Sequence, residues 1–156
     1  MTKTSLWQNI IGYWRQQNLV IRAGVTLAEI AAFEQKYNVT LSVDLSEYFQ
    51  AVDGTGIAES DEHLTSFLSL AQIRRVDEWL DDSEGFTYPD RFAYPNCFVV
   101  VDHFMSSWLY AVQITRDPRN PSPVYRVTAS DVPGQMEARS FHEFMTRYAN
   151  DPLSIL

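Results

Sequence analysis

The run Cys97-Phe98-Val99-Val100-Val101-Asp102 constrains this chain more than any other segment. Its β-branched and aromatic residues pack well on a pleated surface, so it is expected as a central strand. His103-Phe104-Met105-Ser106-Ser107 then reads as a turn, and residues 108–114 as a returning strand. A breaker cluster, Asp117-Pro118-Arg119-Asn120-Pro121-Ser122-Pro123, separates these from a third strand, Val124-Tyr125-Arg126-Val127-Thr128.

Helical signals lie on both sides of this β segment. Ser5 can cap a helix over 5–18, with Leu6, Ile10, Tyr13 and Trp14 near one side. Thr26-Leu27-Ala28-Glu29 fits a capping box, in which the Thr hydroxyl and the Glu carboxylate each take up an orphan amide. Leu27, Ile30, Phe33 and Tyr37 follow at helical spacing, and Asn38 suits the exit. A third helix is expected over 43–52, after Ser42 and closed by Asp53-Gly54. Residues 55–64 read as an acidic loop, Phe67-Leu68-Ser69-Leu70 as a short apolar segment, and 71–80 as a further helix. Gly85, Pro89 and Pro95 mark 81–96 as a long surface loop. Ser140-Phe141-His142-Glu143 repeats the capping-box logic before a last helix with Phe141, Phe144, Met145 and Tyr148 inward. Helices, a mainly antiparallel meander and one closing helix make an α+β layout. A single domain over 1–156 is expected, with 1–24 as an extra or divergent N-terminal helix.

The chain's 156 residues, 46% hydrophobic and 13% aromatic, can build a core without metals or cross-links. Its one cysteine, Cys97, excludes an internal disulfide. No run approaches the ~18 apolar residues of a membrane span, and the start does not read as a signal peptide. The expected address is the cytoplasm.

A formal net charge of −8 argues against direct binding to nucleic acid or to an anionic membrane surface. The charge is also unevenly spread. Residues 1–52 carry four acids and four bases, and 91–156 carry six of each. Between Asp53 and Asp90, ten carboxylates face only Arg74 and Arg75, which is the whole of the excess. Such a stretch would speed encounter with a basic partner.

Reactive constellations are absent from the pattern. His63, His103 and His142 form no local ligand pair and are expected as surface or turn residues. Cys97 opens an apolar strand with no activating base beside it. The acids show no calcium-loop spacing, and the six glycines form no phosphate cradle, so no cofactor or metal is expected. Arg74 with Asp77 and with Glu78 would make ordinary solvated helix pairs. Asp81, Asp82 and Glu84 have no local partner and stand beside Trp79, Phe86 and Tyr88. Acids beside aromatics suit an interface in which the rings anchor and the charges steer. The other reading is a solvated acidic loop, and no sequence rule decides between them.

Three stretches resemble the SUKH superfamily, the domain of fungal cell-wall-synthesis regulators and of many bacterial immunity proteins. The first is the helix from Leu27 to Tyr37 with Leu41-Ser42-Val43-Asp44-Leu45, Tyr48-Phe49 and Asp53-Gly54. The second is Phe67-Leu68-Ser69-Leu70 with Ile73; the third is Val124-Tyr125 followed by Ala138-Arg139-Ser140-Phe141-His142-Glu143-Phe144-Met145. Ser42 stands where the family has proline, and Ser106-Ser107 where glycine is common. The resemblance implies a mixed sheet with helices packed on it and binding to a protein; the missing reactive constellations lead us to expect no catalysis. The implied role is neutralising a cognate toxin of interbacterial competition by covering its active site or substrate groove. Asp61, Glu62, Asp77, Glu78, Asp81, Asp82 and Glu84 would steer and rim that interface, with Trp79, Phe86 and Tyr88 as anchors. A regulatory or scaffold protein of the same fold, and an enzyme with a dispersed site, are the alternatives.

Overall fold

Side-chain caps open three of the helices, whereas the expected cap Ser5 lies inside the first, Lys3–Gln16. Thr26 accepts the Glu29 amide at 3.1 Å while the Glu29 carboxylate accepts the Thr26 amide at 3.0 Å, the full capping box. It opens α2, Leu27–Tyr37, which follows α1, Lys3–Gln16. Ser42 accepts the Leu45 amide at 3.3 Å and opens α3, Val43–Ala51, so serine does there what capping requires without proline. Ser140 accepts the Glu143 amide at 3.0 Å at the start of the final α-helix, Phe141–Asn150. Here the Glu143 carboxylate reaches one residue further back, to the Arg139 amide at 2.9 Å. The computed structural model describes residues 3–81, 96–128 and 135–156, the side chains at 3, 4, 80 and 81 excepted.

The strands are β1 (Thr65–Phe67), β2 (Arg74–Arg75), β3 (Cys97–His103), β4 (Trp108–Gln113), β5 (Val124–Thr128) and β6 (Met136–Ala138). They form one sheet in the order β1-β3-β4-β5-β6, and β2 joins β3 beside β1. All the described pairings are antiparallel. The apolar run from Cys97 is therefore central, and all seven residues of β3 are buried. A register shift between Val99 and Val101 lets Phe98, opposite Val112, and Val101, opposite Tyr110, face the same side. Helices pack there. Phe33 and Tyr37 of α2 lie 5.7 and 5.0 Å from the Phe98 ring, and Phe144 lies 5.0 Å from Tyr110.

The final helix, Phe141–Asn150, buries Phe141, Phe144, Met145 and Tyr148, the side its spacing predicts. Fully burying a side chain of this size contributes roughly 1.5–3 kcal/mol. Leu6, Ile10 and Trp14 of α1 join the same apolar cluster. A short 3-10 turn, Pro152–Ile155, returns Ile155 to it, and its carbonyl accepts from the Tyr110 hydroxyl.

The segment 71–80 departs from expectation. Arg74 and Arg75 are strand residues paired with Val99 and Phe98, and α4 runs only from Val76 to Asp81. The open edge of a buried central strand offers hydrogen bonds that outweigh a short segment's helix propensity. Arg74 therefore does not share a helical face with Asp77 and Glu78. β6 and the 3-10 turn also had no sequence expectation.

Asp53-Gly54 ties the helical half to the sheet. Gly54 has φ +67°, and a Cβ there would lie 2.4 Å from the Phe67 carbonyl oxygen, so only glycine fits. The amides of Thr55 and Gly56 both donate to that carbonyl at 2.9 Å. The Asp53 carboxylate accepts the Leu70 amide at 2.8 Å. Two of the stretches that carry the family resemblance thus lock onto each other.

Candidate protein-binding surface

The candidate acids whose side chains are described do not form one patch. Asp82, Glu84, Phe86 and Tyr88 lie outside the described residues, and Asp81 is described by its backbone alone. Glu62 is exposed beside β1, with its carboxylate 3.5 Å from His63 Nε2. Asp77 and Glu78 are half-buried on α4, and the Tyr37 hydroxyl donates to Glu78 at 3.4 Å. β1 and β2 share one flank of β3, with Thr65 opposite His103 and Arg75 opposite Phe98. At ~3.3 Å per residue, those two register positions are roughly 15 Å apart, with Glu62 just before Thr65 in sequence and the α4 acids just after Arg75.

Two candidates belong to the interior. Asp61 is 3% exposed. Its carboxylate accepts the Tyr148 hydroxyl at 2.7 Å and the amides of His63 and Thr65 at 2.8 and 3.1 Å. The Trp14 indole in turn donates to Tyr148 at 2.9 Å. A surface steering role for Asp61 is therefore corrected: it closes the 61–65 loop onto α1 and the final helix, where a buried charge must have donors. Burial and the nearby Asp61 charge push the Tyr148 phenol well above its usual value. Trp79, expected as an exposed anchor, is 7% exposed with the Arg74 guanidinium 5.1 Å from its ring centre. It packs inward because α4 lies against β2 and β3.

His103, expected as a surface or turn residue, ends β3 and is buried, stacked 4.1 Å from Trp108 and 3.4 Å from the Thr65 hydroxyl. β3 extends one residue beyond the apolar run, and its neighbours on both sides cover the ring. Burial lowers its pKa. Burial pushes the Cys97 thiol up to about 12, which keeps it protonated and unreactive as a nucleophile. Among the described residues, no group of three or more His, Cys, Asp or Glu is placed to hold a metal, and no helix is long and apolar enough to cross a membrane.

The turn between β3 and β4 carries what sequence reasoning missed. Phe104, Met105 and Ser106 all adopt left-handed backbone, with φ of 49°, 50° and 66°. Asp102 holds the run by accepting the Ser106 amide at 2.6 Å and hydroxyl at 3.2 Å. The Phe104 amide donates to the carbonyl of Leu64, itself left-handed, at 2.9 Å. The outcome is a tip where Leu64, Phe104 and Met105 are 47%, 50% and 86% exposed, beside Glu62. Left-handed residues other than glycine cost energy, and such strain clusters at working surfaces. Two large apolar residues in a turn were the available signal.

A cleft of about 360 Å³ lies between α2 and the 70–73 segment. Phe33, Tyr37, Leu70 and Ile73 give it apolar walls; Glu29 and Asp53 are its acids, and Lys36 its base. Burial pushes the Asp53 carboxyl above its usual range, against the lowering from the Leu70 hydrogen bond and from Arg22, with Glu29 adding to the rise. A carboxyl raised in the folded state holds its proton more tightly than in the unfolded chain, so ionisation opposes folding. Asp53→Asn keeps an acceptor for Leu70 and removes the charge. We predict that urea titration finds the variant at least as stable as wild type at pH 7, the advantage vanishing below about pH 4. Lower stability at pH 7 would contradict this.

Fold and surface together describe an α+β domain of SUKH type. Residues 24–147 match the SMI1 / KNR4 family (SUKH-1), and the chain belongs to that family. Comparison with curated proteins returns no match. α1 precedes the matched residues.

Proposed function

We propose that this protein is an immunity protein, which binds a cognate bacterial toxin tightly and covers its active site or substrate groove. The observation that carries the reading is the confinement of the whole net charge of −8 to residues 53–90, on a family scaffold whose implied work is protein binding. The charge calls for a partner with a basic surface, as nucleases and nucleic-acid modifiers have. Glu62, Asp77, Glu78, Asp81, Asp82 and Glu84 steer the encounter. Phe86 and Tyr88 anchor it, joined by Leu64, Phe104 and Met105. The protein acts in the cytoplasm and needs no cofactor.

Co-expression with the toxin encoded by the adjoining open reading frame tests the role. Growth should be rescued, and the two chains should elute as a stoichiometric complex. Failure of both moves the protein to a scaffold role. Reversing Asp81, Asp82 and Glu84 to lysine should slow association at least about tenfold at low salt and flatten its salt dependence. Unchanged association would put the interface elsewhere.

A further inference from the structure

The cleft beside α2 has walls and charges that specify an occupant more closely than the acidic edge does. Phe33, Tyr37, Leu70 and Ile73 are each buried in the core and line the cleft. Its acids come from two elements, Glu29 on the first turn of α2 and Asp53 just after α3. Each already accepts one backbone amide, Thr26 for Glu29 and Leu70 for Asp53. A carboxylate can accept about four hydrogen bonds, so both retain capacity and are held in place by the bonds they make. Lys36 lies two helical turns from Glu29, roughly 10 Å away along α2, with its amine drawn 5.1 Å from the Tyr37 ring centre. The cleft therefore carries two carboxylates at one end, where the Arg22 charge also acts on Asp53, and aromatic and aliphatic walls between.

We propose that this cleft seats an arginine side chain presented by the protein partner. The aliphatic stem packs against Phe33, Tyr37 and Ile73, and the planar guanidinium bridges Glu29 and Asp53. Arginine fits better than lysine for two reasons. Its planar fork can bond two carboxylates at once, and its weakly hydrated cation enters an apolar-walled site at lower desolvation cost. The protein's net charge of −8 disfavours an anionic occupant. This rests on the immunity reading only for the identity of the partner.

The test uses the full chain and a small probe, N-acetyl-arginine amide, followed by amide chemical shifts. Saturable shifts are expected at Leu70, Ala71, Ile73 and Phe33. The neutral isostere N-acetyl-citrulline amide should bind roughly tenfold more weakly, as should the arginine probe to the Glu29→Gln/Asp53→Asn variant. Both substitutions keep the acceptors that hold the backbone, and an unchanged spectrum elsewhere verifies the fold. Shifts outside the cleft, equal binding of the citrulline probe, or equal binding of N-acetyl-lysine amide would each overturn the assignment. If the arginine probe binds while co-expression gives no protection, the toxin reading fails and the cleft stands. If protection holds and the probe does not bind, the reverse is true.

Discussion

Asp61→Ala is expected to lower stability by about 3 kcal/mol, because it strands three donors that the buried carboxylate now satisfies. The Tyr148 hydroxyl and the Thr65 amide would lose their acceptor in a buried site, and the His63 amide in a partly buried one. For a chain of this length such a loss lowers Tm by on the order of 10 °C. Tyr148→Phe removes one of the three bonds and also the acceptor for the Trp14 indole, and should cost about 1–2 kcal/mol. Asp61→Asn keeps an acceptor for the two amides and should fall between Asp61→Ala and wild type. Urea titrations of the three variants provide the comparison. If Asp61→Ala melts with the wild type, the carboxylate does not organise this loop. Any loss of partner binding in these variants should track the loss of fold and not a lost contact.

The opposite pattern is expected at the β3–β4 turn. Phe104→Ala/Met105→Ala should cost far less stability than Asp61→Ala, since Met105 is 86% and Phe104 50% exposed. Against the toxin, the double variant should bind roughly 30- to 100-fold more weakly, the range of a small hot spot, mostly through faster dissociation. The expectation depends on the turn's geometry. Leu64, Phe104 and Met105 share one tip because the Phe104 amide is bonded to the Leu64 carbonyl and Asp102 fixes Ser106. A loosely held apolar loop would lose affinity to the entropy of ordering, whereas a fixed tip has already met that cost. Affinity within twofold of wild type, read by surface plasmon resonance, would remove the tip from the interface.

The contrast between the two experiments reflects what was legible beforehand. Thr26, Ser42 and Ser140 announce their helices because capping is a contact between residues three apart, and sequence spacing is then nearly spatial spacing. Cys97 to Val101 announce a central strand because so many apolar side chains in succession leave no solvent face. The pattern at Arg74 and Arg75 was misleading. Nothing local distinguishes a helix start from two residues recruited by the open edge of β3, 23 to 25 residues further on. Asp61 was misread for the same reason: an acid in an acidic stretch looks like its neighbours until Tyr148, 87 positions away, donates to it.

Composition, spacing and charge order sufficed for the starts of α2, α3 and the final helix, the β meander, the α+β class and the SUKH resemblance, but not for the starts of α1 and α4. They also located the excess charge in 53–90. Each of these depends on near neighbours or on sums along the chain. The tertiary structure alone assigned the acids their stations: Asp61 inside, Asp53 at a cleft with Glu29, Glu62 beside an apolar tip, Asp77 and Glu78 at the far end of the sheet edge. A carboxylate's role is set by the dielectric and the donors around it, and these are supplied by residues that only folding brings near.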